Sequence, residues 1–182
     1  HPNTPPDNGA ERGIRINAAR NAEKHSYTVL AVDDVQNANE QLRKIKCCIK
    51  ELNIQGHGAG SGQWVGSTKA PRGPRPRWIG VSQGSDGSYV ENGFEMFDGV
   101  KFCDPCTIWI RGCSTTKGDA GLAFIKALAN KTGCTVKGFC VDTYPGRRGL
   151  NEPRLGPIQR RSVTDTAYPD INEDALRSPY GY

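Results

Sequence analysis

The chain has 182 residues, of which 36% are apolar. That length suits one domain, and the low apolar share points to a compact middle with loosely packed ends. A net charge of +5 permits an acidic partner without demanding one. No run comes near the ~20 apolar residues of a bilayer span, so no membrane partner is expected.

The opening HPNTPPDNGAERG lacks the apolar stretch of a signal peptide and has no initiating Met. This reads as a fragment cut from a longer polypeptide. Residues 1–25 read as an N-terminal extension, with room for a short helix over Ile14–Glu23. The compact domain is expected over 26–142, with a C-terminal extension or tail over 143–182. Two basic, Pro/Gly-rich stretches, KAPRGPRPR (69–77) and RRGLNEPRLGPIQRR (147–161), read as a solvated loop and part of that tail.

SYTVLAVDD predicts a first strand, Tyr27 to Val32, and Asp33 or Asp34 as cap of the helix that follows. In VQNANEQLRKIKCCIKE the apolar residues Val35, Ala38, Leu42, Ile45 and Ile49 share one helical face. Glu51 to Gln55 then predicts a strand, followed by a loop over 59–77. QGSDGS predicts a hairpin between Trp78–Val81 and Ser88–Val90. A short helix is expected over Phe94–Lys101 and a fully buried strand over Thr107–Ile110. DAGLAFIKALANKTG predicts a helix with Leu122, Ile125 and Leu128/Ala129 inward and Gly133 as its stop. Residues 135–141, TVKGFCV, predict a last strand. Apolar strands alternating with helices imply an α/β fold: a mainly parallel sheet flanked by helices on both faces. Such sheets bind ligands beyond the carboxyl ends of their strands.

There are seven cysteines: 47, 48, 103, 106, 113, 134 and 140. The odd count leaves a thiol unpaired, and several lie in apolar segments as small hydrophobes. That pattern favours a reducing compartment over a disulfide framework.

Among only three histidines, His57 stands between glycines where a strand ends, and Cys113 stands just past the end of another. A thiol needs a base to become a nucleophile, and an imidazole can take its proton and later return it to a leaving amine. Small neighbours, Gly58 and Gly112, would let a scissile carbonyl approach the backbone. The N–H groups of Gly58 and Cys113 could then hold the oxyanion. On the residues alone, a turn histidine and a buried core cysteine is the plainer reading, because seven cysteines make such a coincidence cheap.

LNIQGHG (52–58) followed by TIWIRGC (107–113), with GDAGLAFIKALANKTGCTVKGF (118–139) behind them, resembles the caspase-like (clan CD) cysteine peptidases. These include caspases, gingipains, clostripain, separase and bacterial caspase-haemoglobinase-fold domains. The resemblance spans roughly residues 27–142. It implies a cysteine endopeptidase with Cys113 as nucleophile and His57 as general base and acid, and neither metal nor cofactor. Arg111, two residues before the cysteine, would line the pocket for the residue before the scissile bond and favour an acidic side chain. Asp142, past the last strand, would instead favour a basic one. The implied partners are a protein or peptide substrate and a parent polypeptide or inhibitory partner. The implied context is a bacterial toxin or effector, secreted, delivered into a reducing cytosol, or cytoplasmic.

The rival readings are weaker. GHGAGSG lacks the Lys-Ser/Thr of a phosphate loop, and RGCSTT lacks the second glycine of a hydrolase elbow. FCDPC (102–106) has half the spacing of a zinc site but reads better as a turn before a buried strand. KAPRGPRPRW offers one aromatic beside four basic residues, thin support for nucleic acid. A catalytically silent caspase-like binding module is the alternative from another functional class.

Overall fold

The computed structural model describes residues 26–66, 76–145, 151–153 and 164–170. In chain order its elements are α1 (Val35–Arg43), β1 (Ile49–Ile54), β2 (Gly58–Ala59), β3 (Gly62–Trp64), β4 (Trp78–Gln83), β5 (Tyr89–Asn92), a 3-10 turn (Phe94–Phe97), β6 (Phe102–Ile110), α2 (Gly118–Thr132), β7 (Thr135–Phe139), β8 (Thr143–Pro145), β9 (Asn151–Pro153) and β10 (Thr164–Ala167). The expectations over 14–23, 69–75 and most of 147–161 lie outside the described residues. Among the described residues, no helix is long and apolar enough to cross a membrane.

α1 starts where the sequence predicts. Asp34 caps it, accepting the Asn37 N–H at 2.7 Å, and Val35, Ala38 and Leu42 are buried. It ends at Arg43, short of the predicted face. Cys48 is joined to Cys103, and the Ile49 N–H donates to Lys101 O at 2.8 Å. These tertiary ties turn Ile49 from a helix position into the first residue of β1.

The main sheet has the order β1-β6-β7-β10. β1, β6 and β7 run parallel, with Ile54 opposite Ile110 and Ile110 opposite Gly138. β10 pairs antiparallel with β7. This mixed α/β, mainly parallel architecture matches the sequence reading. The fourth strand comes from the stretch read as a tail, so a domain border at residue 142 would cut the sheet.

Three further expectations are corrected. Tyr27–Val32 forms no strand of the sheet; Leu30 and Val32 pack on the core while Val29 is exposed. Its β-branched and apolar residues serve packing of Leu30 and Val32 on the core rather than strand pairing. Within 59–77, read as loop, β2 and β3 join the hairpin β4–β5 in a second, antiparallel sheet. β6 alternates in burial: Ile108 and Ile110 are inside, whereas Trp109 is partly exposed. It sits with Phe139 at 5.9 Å on the other face.

In α2, Phe124, Ile125, Leu128 and Ala129 face inward, while Leu122, expected inside, is exposed. Gly121 takes the inward place, because a Cβ there would meet Thr116 backbone at 2.3 Å. α2 therefore lies directly on the turn that follows Cys113, and it also packs on β7, β10 and β4. α1 packs on the 3-10 turn.

The cysteines depart most from expectation. Cys48–Cys103 and Cys106–Cys134 are disulfides, and Cys47, Cys113 and Cys140 keep their thiols outside any disulfide. FCDPC is the irregular start of β6. The register with β1 jumps there from Ile49–Phe102 to Glu51–Thr107. Both its cysteines are in disulfides, so neither supplies the thiolate a zinc site needs.

Candidate active site

β1 and β6 end side by side. The Arg111 N–H donates to Ile54 O at 2.9 Å, closing the ladder. His57 and Cys113 each stand three residues beyond their strand's last residue. The two loops touch through glycine. A Cβ on Gly58 would lie 2.7 Å from Cys113 O and 2.9 Å from Cys113 N. A Cβ on Gly112 would lie 2.8 Å from the Gly58 Cα. No side chain fits between the backbones, so glycine is required at both positions. The structure thus brings the His57–Gly58 and Gly112–Cys113 peptides together, as the sequence pairing anticipates. His57 is exposed and Cys113 half-buried.

The chain after Cys113 turns sharply. Ser114 has a φ of 52°, a left-handed conformation that costs a non-glycine residue ~1–3 kcal/mol unless its surroundings impose it. They do so with backbone bonds from Ser114 N to Val141 O at 2.9 Å and from Thr116 N to Phe139 O at 3.2 Å. Two side chains add to this. Ser114 Oγ donates to Asp142 Oδ1 at 2.9 Å, and Thr116 Oγ1 donates to Asp165 Oδ2 at 2.5 Å. Asp142 therefore flanks the turn that carries the thiol.

Thr143 wraps the thiol. Cys113 Sγ donates to Thr143 O at 3.4 Å, and the Thr143 N–H donates to Sγ at 3.4 Å. Thr143 Oγ1 in turn donates to Arg111 O at 3.2 Å. The Arg111 side chain is braced by its neighbours: its Nε donates to Asn53 Oδ1 at 2.6 Å and its guanidinium lies 4.7 Å from the Trp109 ring centre.

Gln63 reaches the same place from β3. It is fully buried, and its Oε1 accepts the Gly112 N–H at 2.7 Å. That bond commits the Gly112 N–H to Gln63, so Gly112 offers a substrate its small size and no donor. The Gly58 N–H is placed differently. Trp64 N donates to His57 O while Gly58 is paired with Gln63, so the Gly58 N–H points out of the β2–β3 ladder. Gln63 Nε2 and Thr115 Oγ1 are buried without a hydrogen-bond partner among the described residues.

Gln63, Thr115, Thr143 and Asp165 escaped the sequence reading. Gln63 is a lone amide in a glycine-rich stretch and carries no local signal. Thr143 does have one, since it follows the carboxyl end of a parallel strand, where sites gather. Compared with protein-family models, curated proteins and solved structures, the chain shows no match.

Proposed function

We propose that this chain is a caspase-like cysteine endopeptidase domain, with Cys113 as nucleophile and His57 as general base and acid. The observation that carries this reading is the backbone contact of Gly58 with Cys113 at the shared end of two parallel strands.

His57 takes the Cys113 proton, which leaves its contact with Thr143 O. The thiolate attacks the scissile carbonyl carbon. The developing oxyanion accepts from the Cys113 and Gly58 N–H groups. His57 then protonates the leaving amine and a thioester remains. Water, deprotonated by His57, hydrolyses it. These steps call for no metal or cofactor. The substrate is a protein or peptide, and Arg111 or Asp142 sets the preference before the cut. As in that family, helices on both faces of the sheet would complete the architecture. A bacterial toxin or effector fits the reading. The two disulfides favour a secreted form over one that works in a reducing cytosol.

The test is incubation of the chain and of Cys113→Ala with a proteome digest, reading new termini by mass spectrometry. Termini made only by the unaltered chain support the protease, and acidic or basic residues before the cut decide between Arg111 and Asp142. The binding-module reading draws on the thiol's bonds to Thr143, which hold it in place without His57. Rapid alkylation of Cys113 near neutral pH, slowed by His57→Ala, would exclude that module. Reactivity at Cys113 no faster than at Cys47, with no new termini, would favour it.

A further inference from the structure

The second sheet has an outer face that begins at His57. The Trp64 N–H donates to His57 O at 2.8 Å, which makes Trp64 the cross-strand neighbour of His57. Trp64 is in turn opposite Trp78. Their neighbours Gln63 and Ile79 are fully buried on the inner face. Strand alternation therefore turns both indoles outward, on the face that His57 shares.

The two rings meet edge to face at 5.3 Å, and Trp64 remains 48% exposed. The Trp78 ring is seated on glycine. A Cβ on Gly62 would lie 2.7 Å from its Cζ2, and one on Gly80 2.6 Å from its Nε1. A side chain at either position would displace the ring. Two opposed glycines thus form a flat seat that holds an indole beside the half-exposed Trp64. Exposed, geometrically fixed aromatic surface is what a binding site presents to an apolar side chain.

We propose that Trp64 and Trp78 select a large apolar or aromatic side chain on the residue that follows the scissile bond. This rests on the Cys113–His57 reading. His57 protonates the leaving amine, so the residue bearing that amine departs past His57, and Trp64 is the side chain next along the strand pair. Arg111 and Asp142 lie on the Cys113 side and are left to the residue before the cut.

Two measurements test this. First, new termini generated by the unaltered chain should be enriched in Phe, Tyr, Trp or Leu at the first position. Trp64→Ala should lower kcat/KM about tenfold for a peptide with Phe there, and leave its serine counterpart unchanged. Second, the Cys113→Ala chain should bind the tripeptide amide Phe-Ala-Ala about tenfold more tightly than Ser-Ala-Ala, read by indole fluorescence. That difference should vanish in Cys113→Ala with Trp64→Ala. Trp64 is exposed, so its removal leaves the core intact. Thiol-dependent cleavage whose preference after the cut is flat, or is unchanged by Trp64→Ala, would overturn the aromatic shelf and leave the dyad standing. Absence of thiol-dependent cleavage would overturn the dyad, and the binding arm alone would then decide the shelf. Equal binding of the two tripeptides overturns it.

Discussion

Gly58 has no room for a methyl group, since the nearest atoms to its missing Cβ are Thr115 Cγ2 at 2.5 Å and the Cys113 backbone. Gly58→Ala must push the two strand ends apart. Displacement of this size at a reacting centre costs up to ~100-fold in rate, so kcat/KM should fall by that order while the far-UV spectrum is retained. Gln63 makes a different case. Gln63→Leu keeps the bulk but leaves the buried Gly112 N–H without its acceptor, a loss of ~1–3 kcal/mol in stability. Denaturant melts should show a lowered midpoint, and kcat should fall more than KM rises, because the Cys113 peptide is repositioned rather than the substrate. An unchanged midpoint would mean that Gly112 finds another acceptor.

β10 pins the turn that carries the thiol. Asp165 accepts from Thr116 Oγ1, and Thr116 is buried. Asp165→Ala strands that hydroxyl and should cost ~1–3 kcal/mol, with faster hydrogen exchange in β10 and at Ser114–Thr116. The far end of this segment is pH-sensitive. Asp170 is held below its ordinary carboxylate value, first by a hydrogen bond from Lys126 and then by one from Asn130. A lowered carboxylate stabilises the fold above its unfolded value and loses that effect as pH falls through the lowered one. The 164–170 strap should therefore loosen only in acid, below the usual carboxylate range. Hydrogen exchange between neutral pH and acid checks this. The same segment shows what sequence can reveal. Thr164–Ala167 has no apolar alternation, and its place in the sheet comes from pairing with β7 and packing against α2. β2 and β3 are similarly silent, because Gly58, Gly60 and Gly62 leave no side-chain pattern. By contrast, α2 and the ends of β1 and β6 were legible, since their apolar periods and stops are written locally. His57 and Cys113 stand just past those stops. The partners that hold them, Gln63, Thr143 and Asp165, arrive from elements that sequence periodicity does not bring together.

The two disulfides and the candidate dyad occupy opposite ends of the parallel strands. Cys48–Cys103 ties the residue before β1 to the start of β6, and Cys106–Cys134 ties β6 to the residue before β7. Cys113 lies past the carboxyl end of β6. Reduction should therefore weaken the fold without changing the Cys113 thiol. The bonds span 55 and 28 residues, which loop-closure entropy rates at ~4 and ~3.5 kcal/mol. Reductant should lower Tm by several degrees per kcal/mol lost. Below the new Tm, the chain should still alkylate at Cys113. The paired state has a direct readout. Unfolding without reductant in the presence of an alkylating agent should label three thiols, Cys47, Cys113 and Cys140. Seven labelled thiols in chain recovered from an oxidising compartment would mean that the strand starts are held by packing alone. A secreted protease would then lose its main physical support, since the disulfides are what set this domain apart from one suited to a reducing cytosol.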